Sequence, residues 1–168
     1  YLVPGYDYLL SLLEIQKLAY FLQEAGEPLR LKFEKGTYGP YADNLRHVLN
    51  RMEGHYIQGF GDGKNKPDTP MSLCPGAVEE AERFLEDHPG INDRFERVAS
   101  AIEGFEMPYG MELLASVHWV AKENPEASKD PDVTVRDVLA WNERKRKIMN
   151  PDHIKAAWNQ LYHLGWLS

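Results

Sequence analysis

Six histidines, a single cysteine and a dense run of carboxylates are the side chains of this chain that could do chemistry. Their spacing decides which chemistry is open to them. His47, His55, His88, His118, His153 and His163 form no HExxH pair and have no second cysteine to work with, so no zinc site is expected. Cys74 stands before Pro75 with no base beside it in sequence and reads as an incidental or buried thiol. Gly59-Phe60-Gly61-Asp62-Gly63-Lys64 has the look of a phosphate loop. Such a loop needs Ser or Thr after the lysine and a helix opening there, whereas Asn65-Lys66-Pro67 follows, so a glycine turn is the better reading. No nucleophile, base and orienting group stand out together. The residues therefore lead to the expectation of no cofactor and no enzymatic activity.

Recognition is the chemistry that remains. The run Gly36-Thr37-Tyr38-Gly39-Pro40-Tyr41-Ala42-Asp43-Asn44-Leu45-Arg46-His47 continues through Gly54-His55-Tyr56 to Asp62-Gly63, rich in glycine, tyrosine and polar side chains. One reading is a structural turn and helix with tyrosines packed on a ribbon. The other is a contact surface using Tyr38, Tyr41, Asn44, His47, His55 and Asp62. Asn44 and His47 are three apart and share a helix face, separate from the face of Leu45, Val48, Leu49 and Met52. Further on, Glu79, Glu82 and Glu86 fall at helical spacing, and Glu96 and Glu103 share a face seven residues apart. These carboxylates read either as solvated helix faces or as an imitation of a phosphate backbone. Carboxylates three or four apart on a helix stand about 5–6 Å from one another, a length comparable with the charge spacing of DNA. The basic cluster Glu143-Arg144-Lys145-Arg146-Lys147 suits a helix C-terminus.

Charge and composition narrow the partner. The 168 residues carry a net charge of −7, and the segment 76–112 holds ten acids against three bases, so it accounts for the whole excess. Such a patch favours a cationic partner, and direct binding of nucleic acid is not expected. The length suits one domain. No apolar run approaches the roughly 20 residues of a membrane span, so no membrane partner is expected. The lone cysteine fits a reducing cytoplasm.

The elements that must position these residues are mostly helical. Ser11-Leu12-Leu13-Glu14 is a capping box, and the helix it opens runs to a Gly26 stop. Leu29, Leu31 and Phe33 alternate with charged residues as a half-buried strand, and Tyr56 to Phe60 is its expected antiparallel partner. Tyr38-Gly39-Pro40 is a turn, followed by a helix from about Tyr41 to Met52. Lys64 to Pro75 reads as a loop. Helices are expected over about 76–87, 91–103 and 110–123, and from a Thr134 start to about Lys147. Asn150-Pro151 opens a last one that ends at Gly165. The fold class is mainly α (α+β), a compact helical domain with one short antiparallel β ribbon. The Leu161 to Leu167 ending adds winged-helix-like features, which keep a nucleic-acid-binding module acting in autoregulation as the alternative function.

The block Glu14 to Gly26 and the run Gly36 to Gly63 resemble the C-terminal domain of the DarG family, antitoxins of the DarT toxins that ADP-ribosylate DNA. Gln16-Lys17-Leu18 and Tyr38-Gly39-Pro40 are more distantly similar to the Panacea domain of other antitoxins. The resemblance implies an upstream macrodomain that removes ADP-ribose from DNA. Residues 1–10 are then a linker from a missing upstream domain, and 11–168 a toxin-neutralising domain. It implies a non-enzymatic domain that binds a DarT-like ADP-ribosyltransferase toxin and blocks its DNA-binding surface, with the acidic segment as the DNA mimic.

Overall fold

The computed structural model describes residues 10–61 and 66–167. Among them the chain is 58% helical, with eight helices and two small antiparallel sheets, a mainly α member of the α+β class as the sequence indicates. The strand β1 (Leu10–Ser11) leads directly into α1 (Leu12–Glu24). The capping box forms as read: the Ser11 side chain accepts from the Glu14 amide, and the Glu14 carboxylate accepts from the Ser11 amide. Of the proposed linker, residues 1–9 lie outside the described residues, and Leu10 pairs with Met71.

Helix α1 has no solvent side to speak of. Tyr20 and Phe21 enter one apolar core, while Leu12, Ile15 and Ala19 serve a second. The first core surrounds α5 (Pro108–Glu123), whose residues Gly110 to His118 are all buried. It is closed by α4 (Pro89–Ile102), α6 (Pro131–Leu139) and α8 (Pro151–His163). Gly110 is required where α5 begins, because a Cβ there would lie 2.7 Å from the Phe105 carbonyl oxygen. Asn150 caps α8 through the Asp152 amide, with Pro151 in its first turn. The chain then turns at Gly165, at φ +75°, so that Trp166 and Leu167 fold back into the core.

The second core lies under the hairpin β2 (Phe33–Gly36) and β3 (Gly39–Ala42), the helix α2 (Leu45–Met52), and the strands β4 (Ile57–Gln58) and β5 (Pro70–Leu73). The strand pairing differs from the sequence expectation. Phe33 pairs with Ala42 in a tight hairpin turning at Thr37-Tyr38, and Ile57 pairs with Leu73, not with the Leu29–Phe33 segment. Residues 29–32 form no strand, because side chains satisfy their backbone. Both ends of the Gln23 amide bond Leu31, and the Asn44 amide bonds the Lys32 N–H and the Arg30 carbonyl. The expected loop 64–75 contains β5, the middle strand of the order β1-β5-β4. α2 starts at Leu45, since Tyr41 and Ala42 still belong to β3.

Two helices carry the acidic segment, α3 (Ala77–Glu86) and α4, close to their expected bounds. The helix expected from Thr134 to Lys147 is two, α6 and α7 (Glu143–Ile148). The cap of α6 is Asp130, through the Asp132 amide; Thr134 is buried and donates to the Ala127 carbonyl. Asn142 interrupts the run and caps α7 through the Lys145 amide.

Candidate functional site

The Gly-Tyr run becomes a hairpin whose crest is fixed from three sides. Trp141 donates its indole N–H to the Gly36 carbonyl at 2.9 Å, and Asn142 its amide N–H to the Thr37 carbonyl at 3.1 Å. Lys17 of α1 donates to the Pro40 carbonyl at 2.8 Å. Gln16 bonds both the N–H and the carbonyl of Ala42. Carbonyls that a free hairpin would turn to water are thus tied to α1 and to the α6–α7 corner. Gly39 lies at φ +103°, and a Cβ on it would stand 3.1 Å from Ser116 Oγ and 3.5 Å from Lys17 Cε. Only glycine lets the crest lie this close.

Beneath the crest lies a buried ionic cluster. The Glu112 carboxylate accepts from Arg144 at 2.6 and 3.2 Å and from Lys145 Nζ at 2.7 Å. Lys17, Lys145 and Glu112 are each at most 2% exposed. Burial, then the charge of Lys145, push the Lys17 ammonium down to about 7, although Glu112 acts the other way. Burial lowers Lys145 as well, against the pull of Glu112. The Arg144 guanidinium also lies over the Tyr38 ring at 4.5 Å, and Lys145 lies over Trp141 at 5.0 Å. The sequence reading did not bring these ions together. Lys17 and Glu112 lie on buried faces of α1 and α5, where the sequence pattern marks no ionic partner, and Arg144 and Lys145 read as the basic end of a helix.

The expected contact residues divide between this hairpin and other surfaces. Tyr38 and Tyr41 flank one small cavity of about 280 Å³ with Lys17 at its wall, and Tyr41 is exposed. Asn44 is occupied by the Arg30 and Lys32 backbone. His47 is exposed on α2, and His55 is exposed in the turn after it. Asp62 lies outside the described residues. Where a phosphate loop was considered, the Glu53 carboxylate takes the Gly59 and Phe60 amides at 3.1 Å each.

The carboxylates are carried by other elements than the hairpin. Glu79, Glu82 and Glu86 are all exposed on α3, a helix that buries only Ala77 and packs chiefly on α4. Glu80 beside them accepts from the Tyr56 hydroxyl at 3.0 Å. Glu103 is exposed just past α4. Glu96 is exposed at the edge of an apolar groove of about 910 Å³ between α1, α2 and α4. The apolar face read on α2 only half closes this groove: Leu45 and Leu49 are buried, while Val48 is 43% exposed.

No family model matches the chain. It is similar to a protein of Thermus aquaticus named DNA ADP-ribosyl glycohydrolase, 46% identical over 94% of this chain and 42% of that one. Proteins of the same name from Mycobacterium tuberculosis and Mycobacterium bovis are 40% identical over 90% of this chain and 44% of theirs. The chain thus spans less than half the length of the curated relatives it matches. Its homologues are DarG-type proteins, as the sequence blocks suggested. The expectation of a non-enzyme is corrected by these names. The relatives are named for an enzymatic activity, so the similarity points to an enzyme rather than away from one.

Proposed function

We propose that this chain is a domain of a protein that removes ADP-ribose from DNA, and that the domain binds and inhibits the DNA ADP-ribosyltransferase that attaches it. The similarity to DNA ADP-ribosyl glycohydrolases over 94% of the chain supports the first part of this reading. The exposed carboxylates of α3 support the mode of binding. Glu79, Glu82 and Glu86 occupy a helix that buries little of itself, so a cationic groove built for a phosphate backbone can receive them. The hairpin tyrosines supply the second element, since Tyr41 offers contact area on a backbone already fixed.

The experiment is competition. The transferase saturated with this domain should no longer bind its DNA substrate, and inhibition should be overcome by excess DNA. Replacing Glu79, Glu82 and Glu86 together by Gln keeps size and helix propensity while removing three charges. The triple variant should associate more slowly and with a flatter salt dependence, because exposed charges act over a Debye length of about 8 Å. A ternary complex of transferase, DNA and this domain would refute the blockade. Unchanged association by the triple variant would refute the part given to α3.

A further inference from the structure

Helix α1 carries an apolar stripe at helical spacing, Ile15, Leu18, Ala19 and Leu22, and each of the four is only half-buried. Such a stripe is the face by which a helix joins a core, so it is ordinarily covered along its length. Here it forms the floor of the 910 Å³ groove, at the seam between the two cores. Leu18 and Leu22 lean on the first core, Ile15 and Ala19 on the second. Other helices make the walls. Val48 of α2 stands 43% exposed on one side, and Phe95 of α4 stands 40% exposed on the other. Glu96 is the one polar residue in the lining.

The two walls differ in charge. On α4, Glu96 and Glu103 are exposed seven residues apart on one face, with no ion pair among the described residues. The bases of that helix are used elsewhere. Arg94 pairs with Glu27 at 2.7 Å, while Arg97 lies over the Trp166 ring and donates to the Gly165 carbonyl. On α2, Arg51 is exposed one turn past Val48. The acids near that wall are engaged: Asp43 pairs with Arg46, and Glu53 holds the Gly59 and Phe60 amides. Arg30 and Lys32 are exposed beside the lining residues Leu29 and Leu31. The α4 edge of the groove is thus acidic and the α2 edge basic.

We propose that this groove docks an amphipathic helix of a partner protein, apolar on its underside, basic along the edge that meets α4 and acidic along the edge that meets α2. A helix laid along α1 covers the bare stripe and touches both walls, with apolar side chains at i, i+3, i+4 and i+7 filling the groove. The small side chains of Ala19 and Ala99 leave room for its close approach. A small ligand fits less well, because ligand sites add several convergent polar groups to apolar walls and this lining has Glu96 alone. A second copy fits less well too, since two concave faces do not fill one another. The opposed edges also fix the direction of the helix. Turning it end for end exchanges its edges and sets like charges together. The site does not depend on the transferase reading.

The probe is a synthetic peptide of about 18 residues, long enough to hold a helix, with leucines at i, i+3, i+4 and i+7, lysines along one edge and glutamates along the other. It should bind, and shifts of the Ile15, Leu22, Val48 and Ile102 methyl resonances should locate it in the groove. A nitroxide on its N-terminus should broaden one end of the groove, at Ile15 or at Leu22. Exchanging the lysine and glutamate edges should move the broadening to the other end. Lysines on both edges, or glutamates on both, should weaken binding about threefold. Val48→Asp, at an exposed position, should weaken it about tenfold, and Ala99→Phe, which fills the groove without adding charge, should do the same. No binding at millimolar peptide, equal binding of a scrambled peptide, shifts confined to other methyls, or the same broadening for both edge arrangements overturns the proposal. So does a dimer of the chain alone that Val48→Asp dissociates, which would give the groove to a second copy. Dodecylammonium binding more tightly than the peptide would give it to a small amphiphile and overturn the proposal as well.

Discussion

Acidification should strike this fold at His118. The imidazole is 4% exposed on α5, with Nδ1 2.7 Å from the Tyr20 hydroxyl, and the rings of Tyr20, Phe21 and Trp166 crowd around it. Burial is the chief reason its pKa falls from 6.5 to about 4; Lys122 and Arg97 push the same way, and Glu24 and a backbone bond to Trp166 oppose them. A folded-state pKa below the unfolded one means that the unfolded chain takes up the proton first. The stability tied to the neutral ring is thus complete above 6.5 and lost as the pH falls toward 4. The gap between those two values, at about 1.4 kcal/mol per pH unit, is on the order of 3 kcal/mol, most of which is gone by pH 5. That is a large share of an ordinary domain's stability. Urea unfolding between pH 7 and 4.5 measures it. The carboxylates titrate in part of the same range, so the comparison needs a reference protein. Tyr20→Phe with His118→Leu removes both members of the bond together and avoids leaving one buried and unpaired. That double variant should be less stable at pH 7, because the Trp166 backbone loses its partner, yet its midpoint should vary less between pH 6.5 and 5. Equal pH slopes in the two proteins would refute the reasoning.

Two further outcomes follow from the ionic cluster and the hairpin. Glu112→Gln keeps the shape and removes the one carboxylate that Arg144 and Lys145 share; with Lys145 fully buried, the loss should be about 3 kcal/mol in denaturant unfolding. A loss below about 1 kcal/mol would mean that the cations find water or a second anion. Gly39→Ala forces a side chain into φ +103° against Ser116 and Lys17 and should cost about 1–3 kcal/mol. A Tm equal to that of the unmutated chain would show that the crest can shift.

Most of the helical frame is legible in the sequence because its signals are local. Ser11 with Glu14, Asn150 before Pro151, and the glycines at 26 and 165 each act through neighbours in the chain. The sheets are not, because alternation does not identify a strand's partner. Leu31 alternates with charged neighbours and is buried, yet Gln23 and Asn44 supply its segment's hydrogen bonds, so no strand pairs there. Asn44, read as a surface contact, is the side chain that makes this possible. Of the candidate site, the tyrosines and the exposed glutamates were visible as residue types. The convergence of the ions below them was not: Lys17 and Glu112 lie 95 positions apart in the sequence and come near each other only through the packing of α1 on α5.

The two surfaces proposed to meet the transferase differ in how firmly they are held, and this decides what each can do. The hairpin crest is tied to side chains 105 residues away at both Gly36 and Thr37, so it takes its shape only when the whole fold is in place. A surface fixed in advance loses little freedom on binding, and contacts made there act mainly on how long a complex lasts. Helix α3 buries one residue and leans on α4, so its carboxylates can adjust to a cationic groove without disturbing either core. Charges held in this way act at a distance and set how often encounters succeed. Changing Tyr41 should therefore raise the dissociation rate, and neutralising Glu79, Glu82 and Glu86 should lower the association rate. If both changes act on the same rate constant, the hairpin and the acidic helix belong to one contact surface, and the division between shape and charge is wrong.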